Sequence, residues 1–166
     1  MKKKIRIYLD TSVISYLDQN DAPQKMHETQ SVWEILKSNC YEIIVSSIAL
    51  GEISECSEEK VERLTEYLAE IDYIEYFADE ETEELANLVI RENILKPKSR
   101  DDALHIASAI LSDSDIILSW NFKHLVNIET INGVRKICFN RNFNKIIDIY
   151  SPNVLLKKEE DEDDES

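Results

Sequence analysis

The feature that most constrains the fold of this 166-residue chain is the alternation of short strand-like runs with longer helical segments. Parallel strands need long crossover connections, so this alternation is typical of an α/β fold with a mainly parallel sheet. The chain contains only two glycines and three prolines, which is few for the tight turns of an all-β protein. Its length suits one domain with a core that needs no disulfides, predicted here over residues 1–156.

Hydrophobic periodicity locates the elements. Strands are predicted over residues 5–9, 41–45, 73–76, 115–119 and 146–150, the last as an edge strand. Helices are predicted over residues 13–17, 26–36, 47–56, 58–71, 79–95 and 102–111, with a short helix or turn over 121–126. The stretch after Gly133 shows no clear pattern before the last strand.

The chain is strongly acidic, with a net charge of −15. Residues 159–165 are all acidic, and we predict a disordered tail over 157–166 that is either a contact for a basic partner or a solubilising end. The rest of the chain is acidic as well. Such a surface repels nucleic acid unless a local basic patch or bound cations reverse the field.

Cysteine usage and hydropathy bear on location. The three cysteines have no CxxC spacing, which fits a reduced, cytoplasmic protein without a disulfide framework or a zinc site. No apolar run approaches the roughly 18 residues needed to span a bilayer. The basic start is followed by too short an apolar run for a signal peptide. We therefore expect a cytoplasmic protein with no membrane segment.

The first predicted strand ends abruptly in a carboxylate, Asp10, followed by Thr11 and Ser12. A carboxylate at the carboxyl end of a central parallel strand lies at the crevice where open α/β sheets bind ligands. The alternative is structural, because Asp is a common helix N-cap. A metal-ligand role for Asp10 requires other carboxylates within reach, and in that case the capping falls to Thr11 or Ser12.

Three further polar residues are placed at the same edge of the sheet by this topology: Glu52, Asp102 and Asn121. Asp115 begins its strand and should lie at the opposite edge. Glu52 has the alternative of an ordinary surface acid, and Asp102 that of a first-turn acid stabilising the helix dipole. His105 has two interpretations, a hydrogen bond near the helix start or a role toward substrate. Clustered carboxylates without a thiol or HExxH pattern favour Mg²⁺ or Mn²⁺.

The residues that frame these positions resemble the PIN domain family, and within it the VapC-like toxins of type II toxin–antitoxin systems. The segments that carry the resemblance are Leu9-Asp10-Thr11-Ser12, residues 46–53 (SSIALGEI), residues 102–109 (DALHIASA) and residues 117–125 (ILSWNFKHL). The resemblance implies a three-layer α/β/α sandwich around a mainly parallel sheet of about five strands. It also implies a metal-dependent ribonuclease site made from Asp10, Glu52 and Asp102, with Thr11 or Ser12 positioning it.

Two functions follow as hypotheses. In the first, the chain is an endoribonuclease in which Asp10, Glu52 and Asp102 hold Mg²⁺ or Mn²⁺ and Asn121 orients a water or phosphate. Thr11, Ser12 and Lys123 would contact the RNA. Four basic residues would attract it: Lys96, Lys98, Arg100 and Lys123. A small antitoxin and a homodimer are the partners that the resemblance implies. In the second, the chain is a PIN-like binding or scaffold protein with little activity. The net charge of −15, the acidic tail and Asn121, which stands where the family often has a fourth acid, favour this alternative.

Overall fold

Five parallel strands form one sheet in the computed structural model, which describes residues 3–156. They are β1 Arg6–Leu9, β2 Glu42–Ser46, β3 Tyr73–Tyr76, β4 Ile116–Leu118 and β5 Asp148–Tyr150. The strand order is β3-β2-β1-β4-β5, and all four neighbouring pairs are parallel. This confirms the predicted α/β fold and places β5 at an edge. The tail predicted over 157–166 lies outside the described residues.

Seven α-helices connect and flank the strands within residues 3–156. They are α1 Thr11–Ser15, α2 Pro23–Leu36, α3 Ser47–Ser54, α4 Glu58–Leu68, α5 Glu80–Arg91, α6 Arg100–Leu111 and α7 Ile128–Asn140, with 3-10 turns at Tyr16–Asp18, Pro97–Ser99 and Pro152–Leu155. The start of α5 is fixed by a capping box, in which Asp79 and Thr82 each accept the backbone N–H of the other. None of the helices in the described part is long and apolar enough to cross a membrane.

The sheet separates two apolar cores. Along β1, Ile7 and Leu9 belong to one core and Tyr8 to the other, as the period-2 alternation of a strand requires. The first core packs against α1, α2, α3 and α4, and the second against α5, α6 and α7. The structure is therefore the predicted three-layer α/β/α sandwich.

The helix α7 is the element that the sequence pattern did not reveal. Gly133 lies in its second turn, and glycine inside a helix is unfavourable by about 1 kcal/mol relative to alanine. The structure supplies the reason: a Cβ on Gly133 would lie 2.6 Å from Ile94 Cγ1. Here glycine permits close packing, a purpose that local propensity cannot show.

The strand order places a topological switch point between β1 and β4. The chain winds from β1 to β2 and β3 on one side, then returns to add β4 and β5 on the other. Open α/β sheets bind ligands outside the carboxyl ends of strands at such a point. The Asp10 amide, directly after β1, donates to the Leu118 carbonyl at the end of β4 at 3.0 Å. Asp10 therefore lies at the switch point.

Candidate functional site

Asp10 is buried, with 4% of its surface exposed, and its carboxylate is held from one side. Oδ2 accepts hydrogen bonds from Ser12 Oγ at 2.6 Å and from Ser119 Oγ at 2.8 Å. The Ser12 amide adds a long contact at 3.4 Å, which makes Asp10 itself the N-cap of α1. The expectation that capping falls to Thr11 or Ser12 is therefore wrong. One oxygen caps the helix and the other, Oδ1, lies 3.6 Å from His105 Nε2.

Glu52 reaches the same nitrogen from α3. This helix begins directly after β2, where Ser46 Oγ accepts the Ala49 amide at 3.1 Å and so caps it. Glu52 Oε1 lies 2.8 Å from His105 Nε2, and the Glu52 side chain is 36% exposed. The Asp10 and Glu52 carboxylates, which are 42 positions apart in the chain, thus flank one imidazole nitrogen.

Asp102, in the first turn of α6, is fixed by Asn121. Asn121 Nδ2 donates to Asp102 Oδ1 at 3.2 Å, while Asn121 Oδ1 accepts the His124 amide at 3.0 Å. Burial raises the pKa of Asp102, and the negative charge of Asp10 raises it further. Asn121 thus orients a ligand-type carboxylate in this arrangement, instead of presenting its carbonyl oxygen to a water or phosphate.

His105 is the residue whose importance sequence reasoning underestimated. It is 1% exposed, and its Nδ1 lies 2.6 Å from the Tyr8 hydroxyl. Thr11 Oγ1 is a further neighbour of Nε2, at 3.2 Å. Burial lowers the pKa of His105, but the surrounding carboxylates, with Asp10 first, raise it by more, so the pKa is above its usual value. His105 therefore lies between the Asp10 and Glu52 carboxylates, whose negative charges favour protonation of its imidazole.

The donor set fits a hard divalent cation. Asp10, Glu52 and Asp102 supply carboxylate oxygens, the ligands that Mg²⁺ and Mn²⁺ prefer. However, among residues 3–156 no three His, Cys, Asp or Glu side chains are already arranged as a cage for a metal ion. Glu52 and Asp102 are only partly buried, which leaves these two side chains room to turn toward a cation beside Asp10.

A groove of about 450 Å³, lined by basic residues, lies beside the acids. Lys96, Lys98 and Lys123 line it, against one carboxylate, Glu129, among its described lining residues. The groove also contains His124, which lies close enough to Asp102 to lower the pKa of that carboxyl, so the groove adjoins the acids. Of the four basic residues predicted to attract RNA, Arg100 is absent from this groove, because its guanidinium donates to Asn87.

The structure thus brings together most residues that the sequence singled out. Ser12 and Thr11 contact Asp10 and His105, respectively, so their hydroxyls hold the site, and their contact with substrate stays a prediction. Asp115 accepts the Arg6 amide at 2.8 Å, at the opposite edge of the sheet as expected. Sequence reasoning missed Tyr8, Ser119 and His124. The sequence did hold an indication of two of them: Tyr8 carries a polar group within an apolar strand, and Ser119 directly follows one.

Comparison with known proteins supports the fold. Neither a family model nor a curated protein sequence matches this chain. Among solved structures, it is similar to a chain of the crystal structure of VapBC2 from Rickettsia felis bound to a DNA fragment from their promoter. The two chains are 18% identical, the match covers 89% of this chain and 100% of that one, and the TM-score is 0.53. This likeness shows a shared α/β fold, and function has to be argued from the site.

Proposed function

We propose that this chain is a PIN-type endoribonuclease that hydrolyses RNA phosphodiester bonds with Mg²⁺ or Mn²⁺. The observation that carries the proposal is the convergence of Asp10, Glu52 and Asp102, from three separate elements, at the switch point of a parallel sheet. Open α/β sheets bind ligands at such switch points, and carboxylate oxygens are the ligands that hard divalent cations prefer.

The roles follow from the contacts. Asp10 Oδ1, Glu52 and Asp102 would hold the ion, which when bound activates a water and neutralises charge on the phosphodiester. Ser12 and Ser119 fix Asp10 by occupying its Oδ2, and Asn121 fixes Asp102. The lysines of the basic groove, including Lys123, would bind RNA phosphates despite the net charge of −15.

We further propose that the nuclease is the toxin of a type II toxin–antitoxin pair, with a small antitoxin as its partner. The support is the fold shared with a chain of VapBC2, whose structure contains a DNA fragment from their promoter. A homodimer and a cytoplasmic location belong to the same proposal. Growth arrest on expression, relieved by co-expression of a small protein encoded next to it, would support the toxin role. Unimpaired growth with active nuclease would indicate an ordinary RNA-processing enzyme.

A second candidate, a PIN-like binding or scaffold protein, is favoured by two observations. The acids are not arranged as a ready-made metal cage in the described part of the chain, and the position after β4 carries the uncharged Asn121. On this alternative the acids and His105 form a structural ion-pair cluster. Metal affinity separates the two candidates.

Adjacent aspartates provide the test. Asp102→Asn removes a proposed ligand, while Asp101→Asn changes the exposed neighbour in the same helical turn and serves as the matched control. We expect calorimetry to show Mn²⁺ binding that is lost in the first variant and kept in the second, with RNA cleavage following the same pattern. Asp10→Asn should also abolish cleavage while circular dichroism shows a folded protein. Undiminished cleavage by Asp10→Asn would refute the mechanism.

A further inference from the structure

A buried chain of hydrogen bonds lies beneath the three acids. Ser46 Oγ lies 2.7 Å from the Tyr8 hydroxyl, which lies 2.6 Å from His105 Nδ1. On the other side of the imidazole, Nε2 is 2.8 Å from Glu52 Oε1. Ser46 and Tyr8 are fully buried and His105 is 1% exposed. The chain of contacts therefore runs from the interior of the protein to a carboxylate at the surface of the site.

Each buried member lies in or directly beside the element that positions one of the acids. Tyr8 is in β1, two residues before Asp10. Ser46 is the N-cap of α3, the helix of Glu52. His105 is in α6, three residues after Asp102 and on neighbouring turns of the same helical face. The three contacts therefore join the three acid-bearing elements directly to one another.

Donors and acceptors can be assigned along this series of hydrogen bonds for each protonation state of His105. Because Glu52 Oε1 is a carboxylate oxygen, Nε2–H donates to it. With a neutral imidazole, the Tyr8 hydroxyl donates to Nδ1 and accepts from Ser46. With a charged imidazole, Nδ1–H donates to Tyr8, which then donates to Ser46. Each of the four side chains keeps at least one hydrogen-bond partner in both cases, and such a buried network is rigid because leaving a group unpaired is costly.

We propose that Tyr8 and His105 are positioning residues that set the Glu52 carboxylate for the metal ion. His105 Nε2–H would fix Oε1, and because Oε2 accepts no hydrogen bond from any described residue, it would be free to bind the cation. Tyr8 fixes the imidazole from behind. This inference deepens the proposed function and rests on it, since it assigns partners to a residue of that site. Partners behind a metal ligand are typically worth about 10–100-fold in metal affinity.

Removing one hydroxyl tests the inference. Tyr8→Phe keeps the buried ring but deletes the atom between Ser46 and His105. Tyr76→Phe is the matched control, because the Tyr76 hydroxyl makes one comparable bond, 2.8 Å to Thr82 Oγ1, away from the acids. His105→Gln retains a side-chain N–H that can reach Glu52, while His105→Leu retains none. Each variant is compared with the unmodified protein by calorimetric Mn²⁺ titration and by NMR of the imidazole nitrogens and the Glu52 carboxyl carbon.

We expect Mn²⁺ to bind about tenfold more weakly to Tyr8→Phe than to the unmodified protein, with no change for Tyr76→Phe. His105→Leu should lose more affinity than His105→Gln, which would show partial rescue. The NMR signals of His105, one of only three histidines, and of Glu52 should shift in Tyr8→Phe without metal. Unchanged signals and unchanged affinity would overturn the inference. If the unmodified protein binds no Mn²⁺, the proposed function fails, and the positioning role for a metal fails with it even where the NMR shifts appear.

Discussion

Asn121→Asp is the substitution that most directly tests whether the acids form a cation site. Asp has the same shape as Asn, so its Oδ1 should still accept the His124 amide, which lies 3.0 Å from Asn121 Oδ1 in the unmodified protein. The change replaces the Nδ2 donor, 3.2 Å from Asp102 Oδ1, with a carboxylate oxygen. A favourable hydrogen bond thus becomes a contact between two negative charges, beside Asp10 and Glu52.

The magnitude follows from that distance. Two unit charges 3.2 Å apart repel by about 5 kcal/mol at an effective dielectric of 20 and by about 1 kcal/mol in water. Each carboxylate spreads its charge over two oxygens, the side chains can rotate, and Asp102 can take up a proton. We therefore expect a loss of about 1–2 kcal/mol in the free energy of unfolding without metal, within the usual range for single substitutions. For a domain of this size this lowers Tm by roughly 2–8 °C.

A bound divalent cation reverses the sign of the effect. The fourth carboxylate then adds attraction, so Mn²⁺ should stabilise the variant by more than it stabilises the unmodified protein. A ligand at 100 times its Kd stabilises by about 2.7 kcal/mol, which a thermal melt detects easily. The assay is differential scanning fluorimetry with EDTA and with millimolar Mn²⁺. Asn132→Asp, on the exposed face of α7, makes the same charge change as a control. Equal Tm shifts with Mn²⁺ for all three proteins would refute a cation site at Asp102.

Three further predictions concern packing, thiol reactivity and RNA binding. Gly133→Ala should lower stability by about 1 kcal/mol, because overpacking against Ile94 costs about 1–3 kcal/mol and outweighs the helix propensity of alanine; a thermal melt with an equal or higher Tm would contradict this. Burial raises the pKa of the Cys138 thiol, so Ellman's reagent should label exposed Cys40 quickly and Cys138 only on unfolding; Cys40→Ser should remove the fast phase. Lys123→Glu should weaken RNA binding and make the slope of log K against log salt concentration shallower by about 0.7 per lost phosphate contact. Lys136→Glu, on α7, should change neither quantity. Equal effects of the two substitutions would contradict RNA binding in the basic groove.

The sequence predicted the layers of this fold well because most of its local preferences agree with its packing. The five strands are rich in β-branched and aromatic residues, and the capping box at Asp79 fixes one helix start from local residues alone. The helix α7 escaped prediction because Gly133 is required by a contact with Ile94, which is 39 positions away. Packing between distant segments overrode local propensity there, as it commonly does.

The residues of the site also fall into those that local sequence and topology predict and those that depend on contacts between distant segments. Asp10, Glu52 and Asp102 were predictable because parallel topology alone places strand ends and following helix starts at one edge of the sheet. Asn121 and His105 were misjudged because their roles depend on which atom faces which neighbour. Asn121 Oδ1 accepts the His124 amide and Nδ2 donates to Asp102, so Asn121 restrains one carboxylate and adds no charge. If the three carboxylates bind metal as proposed, they supply the ligands for one divalent ion, and a second ion would need a further carboxylate, which Asn121 does not supply.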